Sequence, residues 1–461
     1  MAILVAGTAF MEILDGTVIA TAAPAIAQSF GVAAVDIGIA MTAYMLTIAV
    51  CIPVSGQLAE RWGVRRVFLC AIAVFTVASV LCALSTSLAM LTAMRVLQAV
   101  GGAMMVPVGR FAVLRNTEKR DMMRAVAYLT WPALLAPVLA PVIGGAIVTL
   151  ASWHWIFLVN VPLGIAAFLA AVRVVPAEAR TVAARTLDWP GFVLIGVTIA
   201  ALTVGADSLW SRPVVGSLAA AAVAVVFGVA AWWHLRRTAR PLLDFTALRT
   251  DTFRVSTVAG NVYRATIFTA PFMLPLMFQD GFGWDPFRSG LVVAAVFVGN
   301  LAIKPVTTPL MRWLGFRTVL LVNTVCVALT FVGCAFLTAG TPLPLMLAVL
   351  FVSGAFRSIG FTAYNTMTYA DIPSDRLSGA NTLSATVQQV AAGMGVALGA
   401  LAVQAGTSVE SVNPDDSALA PYRFAFLLVA GLLLVTLPPL LRLRGDAGAE
   451  VTGRLRERVA T

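Results

Sequence analysis

Charged residues are scarce in this chain. Asp, Glu, Lys and Arg make up 11% of its 461 residues, whereas 60% are hydrophobic, and a soluble domain carries about 25% charged residues. This composition argues against a large soluble enzyme, because a soluble core cannot absorb so much apolar surface. It favours a helical integral membrane protein, since a helix satisfies its own backbone polar groups in lipid. The first apolar run lacks a basic start and is too long for a cleaved signal peptide.

Metal-ligating and redox patterns are lacking as well. The sequence has two histidines, and its five cysteines form no C-x-x-C pair, which argues against a histidine-ligated metalloenzyme or a haem protein. We interpret the cysteines as small buried hydrophobic residues. No G-x-x-x-x-G-K-[ST] loop is present, so ATP is not expected to drive the protein directly. We expect no metal and no organic cofactor.

What the chain does have is a series of long apolar runs. A membrane-spanning helix needs about 20 mostly apolar residues, and fourteen runs meet this length, which predicts an all-α integral membrane protein. The even number places both termini on one side of the membrane. The predicted spans are residues 2–23, 36–58, 67–87, 89–112, 123–150, 155–174, 190–208, 214–234, 255–278, 287–310, 317–338, 342–366, 380–404 and 422–441.

The basic residues lie mainly on one side of these spans. Of 31 Lys and Arg, 23 fall in one set of loops and the C-terminal tail, and only Arg212, Arg288 and Arg423 fall in the opposite loops. The positive-inside rule makes the first set and both termini cytoplasmic, in a bacterial inner membrane. The net charge of +10 is then a topology signal, and no nucleic-acid partner is expected.

Few charges remain inside the predicted spans, and intramembrane charge usually faces a cavity or a partner. When the two residues at each span end are left aside, the acids are Glu12 and Asp15. The cations are then Arg95, Arg110, Arg264, Lys304 and Arg357.

The loop between spans 2 and 3 reads GQLAERWGVRR at residues 56–66. It resembles the signature loop of the major facilitator superfamily, G-x-L-x-D-R-x-G-x-R-R, with Glu in place of the usual Asp. The resemblance implies a conformational latch, with gating or structural roles for Gly56, Glu60, Arg61, Gly63 and Arg65. A weaker echo, PLMRWLGFR at residues 309–317, suggests that spans 9–14 repeat spans 1–6.

Further motifs resemble one branch of this superfamily, the fourteen-span drug:proton antiporters of the EmrB/QacA type. They are LDGTVIATAAP at 14–24 and ASWHWIFLVNVPLG at 151–164. RVLQAVGGAMMVP at 95–107 resembles the R-x-x-Q-G-x-G-x-A motif of relatives in Arg95, Gln98, Gly101 and Gly102, with Ala99 in place of Gly. APVLAPVIGG at 136–145 resembles the antiporter motif, with Ala at its first two glycine positions and with Pro141, Gly144 and Gly145 retained. GGAMMVPVGR at 101–110, together with Arg264 and Lys304, resembles MdtD-type members.

The resemblance implies two six-helix halves, residues 1–175 and 251–445. Two inserted helices and a linker lie between them at 176–250, and a basic cytoplasmic tail follows at 446–461. It also implies proton-driven export of small molecules by alternating access, by a functional monomer embedded in the bilayer.

The two acids are candidates for proton coupling. Glu12 and Asp15 are about 60° apart around a helix, so they can share a face. Proximity and burial favour protonation of at least one carboxylate, and Arg95 can stabilise the ionised form. Alternatively, Asp15 caps or ties helices, and Glu12 is solvated at the cytoplasmic mouth.

The C-terminal cations are candidates for substrate binding. Asn261 shares a helix face with Arg264, and Asn300 shares one with Lys304. The alternative for Arg264 and for Arg110 is that the side chain extends to the membrane interface. The full predicted substrate set is Arg264, Lys304, Asn261, Asn300, Arg357, Asn365 and Gln98.

Two cargoes follow from these patterns. The family resemblance favours amphiphilic drugs, whereas five intramembrane cations against two acids favour an organic anion, such as citrate or iron-citrate. A membrane enzyme and a non-transporting receptor are remote alternatives, because the sequence shows no His boxes, Ser/His pairs or signalling domain.

Overall fold

The computed structural model describes residues 1–115, 122–176, 188–211, 214–238, 245–373, 377–407 and 418–444. Across these residues the chain is helical and forms no strand. The predicted tail at 446–461 lies outside them. The helices are α1 (Ala2–Phe30), α2 (Gly38–Trp62), α3 (Val64–Ala83), α4 (Leu88–Arg115), α5 (Met122–Leu150), α6 (Trp155–Leu158), α7 (Asn160–Val174), α8 (Trp189–Ser211), α9 (Val214–Arg237), α10 (Asp251–Leu276), α11 (Pro286–Ala302), α12 (Lys304–Ala335), α13 (Leu343–Ala370), α14 (Leu377–Thr407), α15 (Ala420–Leu434) and α16 (Leu437–Leu441).

All fourteen predicted spans coincide with helices, so the all-α fold class is confirmed. Nine stretches of the described chain are long and apolar enough to cross a membrane, and two of them combine the pairs α6–α7 and α15–α16. Three predicted spans are interrupted. The sixth divides into α6 and α7, and the fourteenth into α15 and α16. The tenth also breaks, after α11, and its second part forms the start of α12.

The chain divides into two compact units. The first is Met1–Leu242 with Asp285–Gly290, and the second is Leu243–Trp284 with Leu291–Thr461. In the first unit α1 packs on α5, and α3 packs on α4 and α7; in the second, α10 packs on α14, and α12 packs on α13 and α15. The first span therefore meets the fifth, and the third meets the fourth and sixth, in each unit, as an internal repeat would give. The domain boundaries drawn from the sequence stay predictions.

The inserted pair packs within the first unit. Helices α8 and α9 lie against each other, and α8 also packs on α2. Asp188 joins the pair at one end: it accepts the backbone N–H of Gly191 at 2.9 Å and lies 2.7 Å from Nε2 of His234.

A glycine with a positive φ angle lies at the corresponding place in each unit, and we call each of these positions a glycine joint. Gly63 ends α2 with φ 88°, and Gly315 interrupts α12 with φ 76°, a backbone region that only glycine adopts without strain. Two residues later, Arg65 donates to the carbonyl of Val172 at 2.6 Å, and Arg317 donates to the carbonyl of Leu441 at 2.9 Å. Each arginine thus ties its joint to the sixth span of its repeat.

The antiporter-like stretch of α5 packs tightly inside the first unit. A methyl group on Gly144 would lie 2.6 Å from Cγ2 of Val18, and one on Gly145 would meet the backbone of Pro286. The carbonyl of Pro141 occupies the space that a Cβ on Gly290 would need. Small residues therefore allow close helix approach here.

Two glycines bring α11 and α13 into backbone contact in the second unit. A Cβ on Gly299 would meet the carbonyl of Phe351, and a Cβ on Gly354 would meet the carbonyl of Val296. Helices that cross this closely gain van der Waals packing and weak Cα–H···O contacts.

We predict that Gly354→Ala lowers the apparent melting temperature of the purified protein. The added methyl forces the crossing apart, and overpacking typically costs about 1–3 kcal/mol. In the matched control, Gly431→Ala, nothing lies within 4 Å of the added methyl. Gly→Ala in a helix interior is stabilising by about 0.5–1 kcal/mol, so the control should melt no lower than the original protein. Thermal denaturation in detergent, followed by size exclusion, measures both variants, and equal melting temperatures would contradict the tight crossing.

Candidate functional site

Asp15 lies at the centre of a buried polar cluster in the first unit. The Asp15 cluster consists of Asp15 on α1, Arg95 and Gln98 on α4, and Asn160 at the start of α7. None of the four is more than 1% exposed. Asp15 and Arg95, assigned to proton coupling from the sequence, are therefore brought into direct contact by three helices of one unit.

Both carboxylate oxygens of Asp15 accept hydrogen bonds. Oδ2 is paired with Nη1 of Arg95. Oδ1 accepts from Nε2 of Gln98 at 3.0 Å and from Nδ2 of Asn160 at 2.6 Å. Three donors, one of them cationic, therefore stabilise the ionised carboxylate at a position shielded from bulk solvent.

Gln98 connects the cluster to α3. Its Oε1 accepts from Nη1 of Arg95 at 2.7 Å, and its Nε2 also donates to Oγ of Ser79 at 2.7 Å. The structure thus places Gln98 with the proposed proton-coupling residues. Its assignment to substrate binding stays a prediction.

The guanidinium of Arg95 is held between aromatic rings. Its Cζ lies 3.8 Å from the ring centroid of Tyr44 and 5.8 Å from that of Phe157. A desolvated cation over an aromatic face gains about 2 kcal/mol, so the rings offset part of the cost of burying Arg95.

Glu12 lies one helical turn before Asp15. Its side chain is beside Gly102 and the hydroxyl of Tyr44, and its Oε2 is buried with no hydrogen-bond partner among the described residues. The residue as a whole is partly buried. This environment differs from a carboxylate solvated at a cytoplasmic mouth.

Sequence reasoning missed Asn160 and Tyr44 as members of this site. Asn160 was inside a quoted motif, and its signal was an amide in an apolar run, close before a proline. The break at Val159 between α6 and α7 places Asn160 at a helix start. Tyr44 carried no signal, because an isolated tyrosine in a span is ordinary.

A second group of polar residues lies in the second unit. The Arg264 cluster consists of Arg264 on α10, Lys304 on α12, and Phe361, Thr362 and Asn365 on α13. Arg264 donates to Oδ1 of Asn365 at 2.9 Å, and its Cζ lies 4.1 Å from the ring centroid of Phe361. Nζ of Lys304 donates to Oγ1 of Thr362 at 3.0 Å. Two cations thus meet within about one turn of α13.

Arg264 is 7% exposed, so it lies inside its unit rather than extending from it. Arg110, by contrast, is exposed on α4, which agrees with extension to an interface.

Arg357 is tied to the backbone of α10. Its Nη2 donates to the carbonyl of Ile267, and its own carbonyl accepts from the hydroxyl of Tyr263 at 3.4 Å. Tyr263 also accepts from Nδ2 of Asn323 at 3.0 Å. Arg357 therefore has an evident role in joining α10 and α13, and its assignment to substrate binding stays a prediction.

The two amides predicted beside the cations are placed differently from Asn365. Asn261 donates to the carbonyl of Thr257 at 2.5 Å, while its Oδ1 is buried without a partner among the described residues. Asn300 is partly buried near the end of α11. Neither contacts a cation through a described hydrogen bond, and their substrate roles stay predictions.

The two clusters differ in charge balance. Arg95 is paired with Asp15, whereas Arg264, Lys304 and Arg357 have no carboxylate partner within the described part of the chain. The described residues also contain no group of three or more His, Cys, Asp or Glu that could hold a metal ion. In the first cluster, a proton can replace the guanidinium of Arg95 as the partner of the Asp15 carboxylate. The uncompensated cations of the second cluster can attract an anion.

The predicted latch is described in part. Arg61 is exposed at the end of α2, and Gly63 and Arg65 form the joint described above. The side chain of Glu60 and the surroundings of Gly56 lie outside the described part of the structure.

We predict that Arg95→Gln destabilises the protein more than the double variant Asp15→Asn/Arg95→Gln does. Removing one partner of a buried pair leaves an uncompensated charge and costs about 3–5 kcal/mol, whereas removing both charges costs far less. Melting temperatures of the native protein, the two single variants and the double variant form the test. Arg110→Gln, an exposed arginine on the same helix, is the matched control. Additive effects of the two single substitutions would contradict the paired geometry.

The comparisons with known proteins agree with this architecture. The Major Facilitator Superfamily model matches residues 5–260 and 256–459. A Serratia proteamaculans protein named "Putative multidrug resistance protein MdtD" is 35% identical over 437 residues, covering 94% of this chain and 90% of its own. Its Cronobacter sakazakii counterpart of the same name is 36% identical over 438 residues, covering 94% and 91%.

Among solved structures, the nucleoside transporter NupG superposes with a TM-score of 0.67 at 10% identity, over 95% of this chain and 98% of its own. A bacterial homologue of the human lysosomal transporter Spinster, in an inward-facing conformation, gives a TM-score of 0.68 at 14% identity, over 97% and 96%. At these identities the likeness shows the fold alone. Family match and close relatives together establish that the chain is a multi-pass membrane protein and belongs to the Major Facilitator Superfamily of transporters.

Proposed function

We propose that the protein is a proton-coupled secondary transporter that exports amphiphilic small molecules across the bacterial inner membrane by alternating access. The buried carboxylate of Asp15, held by Arg95, Gln98 and Asn160, is the observation that carries the proposal. The multidrug-resistance names of the relatives support the direction and the cargo. We further propose that both termini are cytoplasmic and that one chain, which contains both units, is the functional molecule.

Proton coupling would follow from the charge on Asp15. A proton on Asp15 removes the negative charge that compensates Arg95, and it weakens the three hydrogen bonds that α4 and α7 donate to the carboxylate. Protonated and ionised states therefore favour different arrangements of α1, α4 and α7. A ligand that also prefers one arrangement is coupled to the proton through this difference.

We predict that Asp15→Asn abolishes substrate-induced proton release. Asparagine is similar in shape but cannot load a proton. The measurement uses inside-out vesicles with an acidified lumen and a pH-sensitive dye, to which ethidium, a neutral hydrophobic drug, citrate and ferric citrate are added in turn. The matched control is Asp251→Asn, because that side chain is 66% exposed and paired with Arg254. Unchanged release in Asp15→Asn would exclude Asp15 as the coupling residue.

An organic anion is a second candidate cargo, and a specific observation favours it. Arg264 and Lys304 meet at one turn of α13 without a carboxylate partner among the described residues. Buried cations are normally paired, so an anionic group of the cargo would complete this cluster. Arg264 also presents a cation above an aromatic ring, which is suited to a planar carboxylate next to apolar surface.

We predict that Lys304→Gln and Arg264→Gln each lower citrate-induced proton release about tenfold while leaving ethidium-induced release within about twofold. Loss of one charge-assisted hydrogen bond corresponds to about 1.5–3 kcal/mol, and 1.4 kcal/mol is tenfold. Arg254→Gln, an exposed arginine of the same unit, is the control. Unchanged transport of every acidic substrate in both variants would exclude the anion cargo, and a release seen with ethidium alone would favour the drug cargo.

A further inference from the structure

Several buried polar atoms beside Asp15 have no partner. Within the described residues, Oε2 of Glu12, the hydroxyl of Tyr44, and both Nε and Nη2 of Arg95 are buried and form no hydrogen bond. Buried polar atoms are nearly always satisfied, by protein or by ordered water. Four unsatisfied atoms on three neighbouring side chains therefore call for a bound polar species.

Glu12 and Tyr44 both lie against the position of the missing side chain of Gly102. The position that a Cβ on Gly102 would occupy lies 3.4 Å from Cγ and Cδ of Glu12 and 3.4 Å from the hydroxyl of Tyr44. The ring of Tyr44 lies against the guanidinium of Arg95, and Arg95 is paired with Asp15. Tyr44 therefore lies between Glu12 on one side and the Arg95–Asp15 pair on the other.

The chemistry of the unsatisfied atoms selects the occupant. Nε and Nη2 of Arg95 are donors only, an ionised Glu12 oxygen is an acceptor only, and the tyrosine hydroxyl is both. A metal ion is disfavoured by the arginine, and an apolar ligand would leave all four atoms unsatisfied. Water both donates and accepts, and a buried water typically makes about three such bonds.

We propose that Glu12, Tyr44 and Arg95 form a buried water-binding site, left open by the missing side chain of Gly102, through which a proton passes between Glu12 and Asp15. This inference rests on the proposed proton coupling. In the transfer, the O–H bond of protonated Glu12 breaks as water accepts the proton. The Tyr44 hydroxyl takes up a second proton from that water and gives its own proton to Asp15, where an O–H bond forms. Tyr44 has no hydrogen bond to Asp15 in the present arrangement, so this last transfer requires Arg95 to release the carboxylate and Tyr44 to move against it. One negative charge passes from Asp15 to Glu12, and no electron is transferred.

The bound water can be detected without transport. Radiolytic labelling of the purified protein in H₂¹⁸O, with mass spectrometry, marks side chains that touch internal water. We expect Tyr44 to be labelled in the native protein and its labelling to fall several-fold in Gly102→Ala. The alanine methyl fits at ordinary contact distance, so this variant keeps its fold while filling the space. Gly7→Ala is the matched control, because it lies on α1 with nothing within 4 Å of the added methyl.

The same space should control proton flux. We expect Tyr44→Phe and Gly102→Ala each to slow substrate-driven proton release at least about tenfold, since a positioned proton relay contributes about 10²–10⁴-fold. Gly7→Ala and Tyr369→Phe, whose hydroxyl bonds Asn381 at an exposed site, should release protons like the native protein.

The outcomes separate this inference from the proposed function. If Asp15→Asn still releases protons, the proposed coupling fails, whatever Tyr44 does. If Asp15→Asn is silent but Tyr44→Phe and Gly102→Ala release protons at the native rate, the relay is wrong. Absence of label on native Tyr44, or equal labelling in Gly102→Ala, overturns the water site itself.

Discussion

The ion pair between Asp15 and Arg95 is the interaction on which the first unit depends. Neither side chain has any exposed surface, so each charge is stabilised by the other and by fixed dipoles, and the charge of Arg95 also by the rings of Tyr44 and Phe157. A buried ion pair adds little to the stability of a protein compared with apolar packing, but removal of one partner strongly destabilises the folded state. The pair therefore constrains its surroundings: Gln98, Asn160 and Ser79 are held where the remaining hydrogen bonds require them. The positions of α1, α3, α4 and α7 are thus linked to the protonation state of one carboxylate.

The second unit handles charge in the opposite way. Its buried or partly buried cations donate to neutral oxygens, namely the amide of Asn365, the hydroxyl of Thr362 and the carbonyl of Ile267. Neutral acceptors orient a guanidinium or ammonium group but leave its charge uncompensated. A unit that compensates its charge internally is suited to loading a proton, because proton and arginine compete for one acid. A unit whose buried cations have no carboxylate partner among the described residues is suited to a ligand that carries a negative charge. The internal repeat thus provides two similar frameworks with different electrostatic roles.

Sequence patterning predicted the helices because about 20 consecutive apolar residues admit few other structures in lipid. It also selected Asp15 and Arg95, since charges in spans are rare enough to stand out. It could not predict the uncharged residues that contact Asp15 and Arg95, because such residues are common in membrane-spanning helices. Asn160 depends on a helix break at Val159, which falls three residues before Pro162 and carries no breaker of its own. The direction in which Arg357 points depends on how α13 is rotated against α10. That rotation cannot be predicted from a single sequence. The motif that contains Gln98 predicts its span but not its hydrogen-bond partners, so the contact between Gln98 and Asp15 could not be predicted.

Helix α7 connects the Asp15 cluster to the glycine joint of the same unit. Its first residue, Asn160, donates to Asp15, and near its other end the carbonyl of Val172 accepts from Arg65. A 15-residue helix is about 22 Å long and transmits displacement because packed helices move as rigid elements. A shift of α7 that follows protonation of Asp15 would therefore act on Arg65, two residues after the positive-φ turn at Gly63. The joint at Gly315 is followed by a corresponding arginine, Arg317, which donates to the carbonyl of Leu441 in the last helix, α16. In that unit, however, the described carboxylates do not pair with the buried cations. Under the proposed proton coupling, protonation of Asp15 would act on the glycine joint of the first unit, whereas the second unit would respond to a cargo that supplies the missing negative charge.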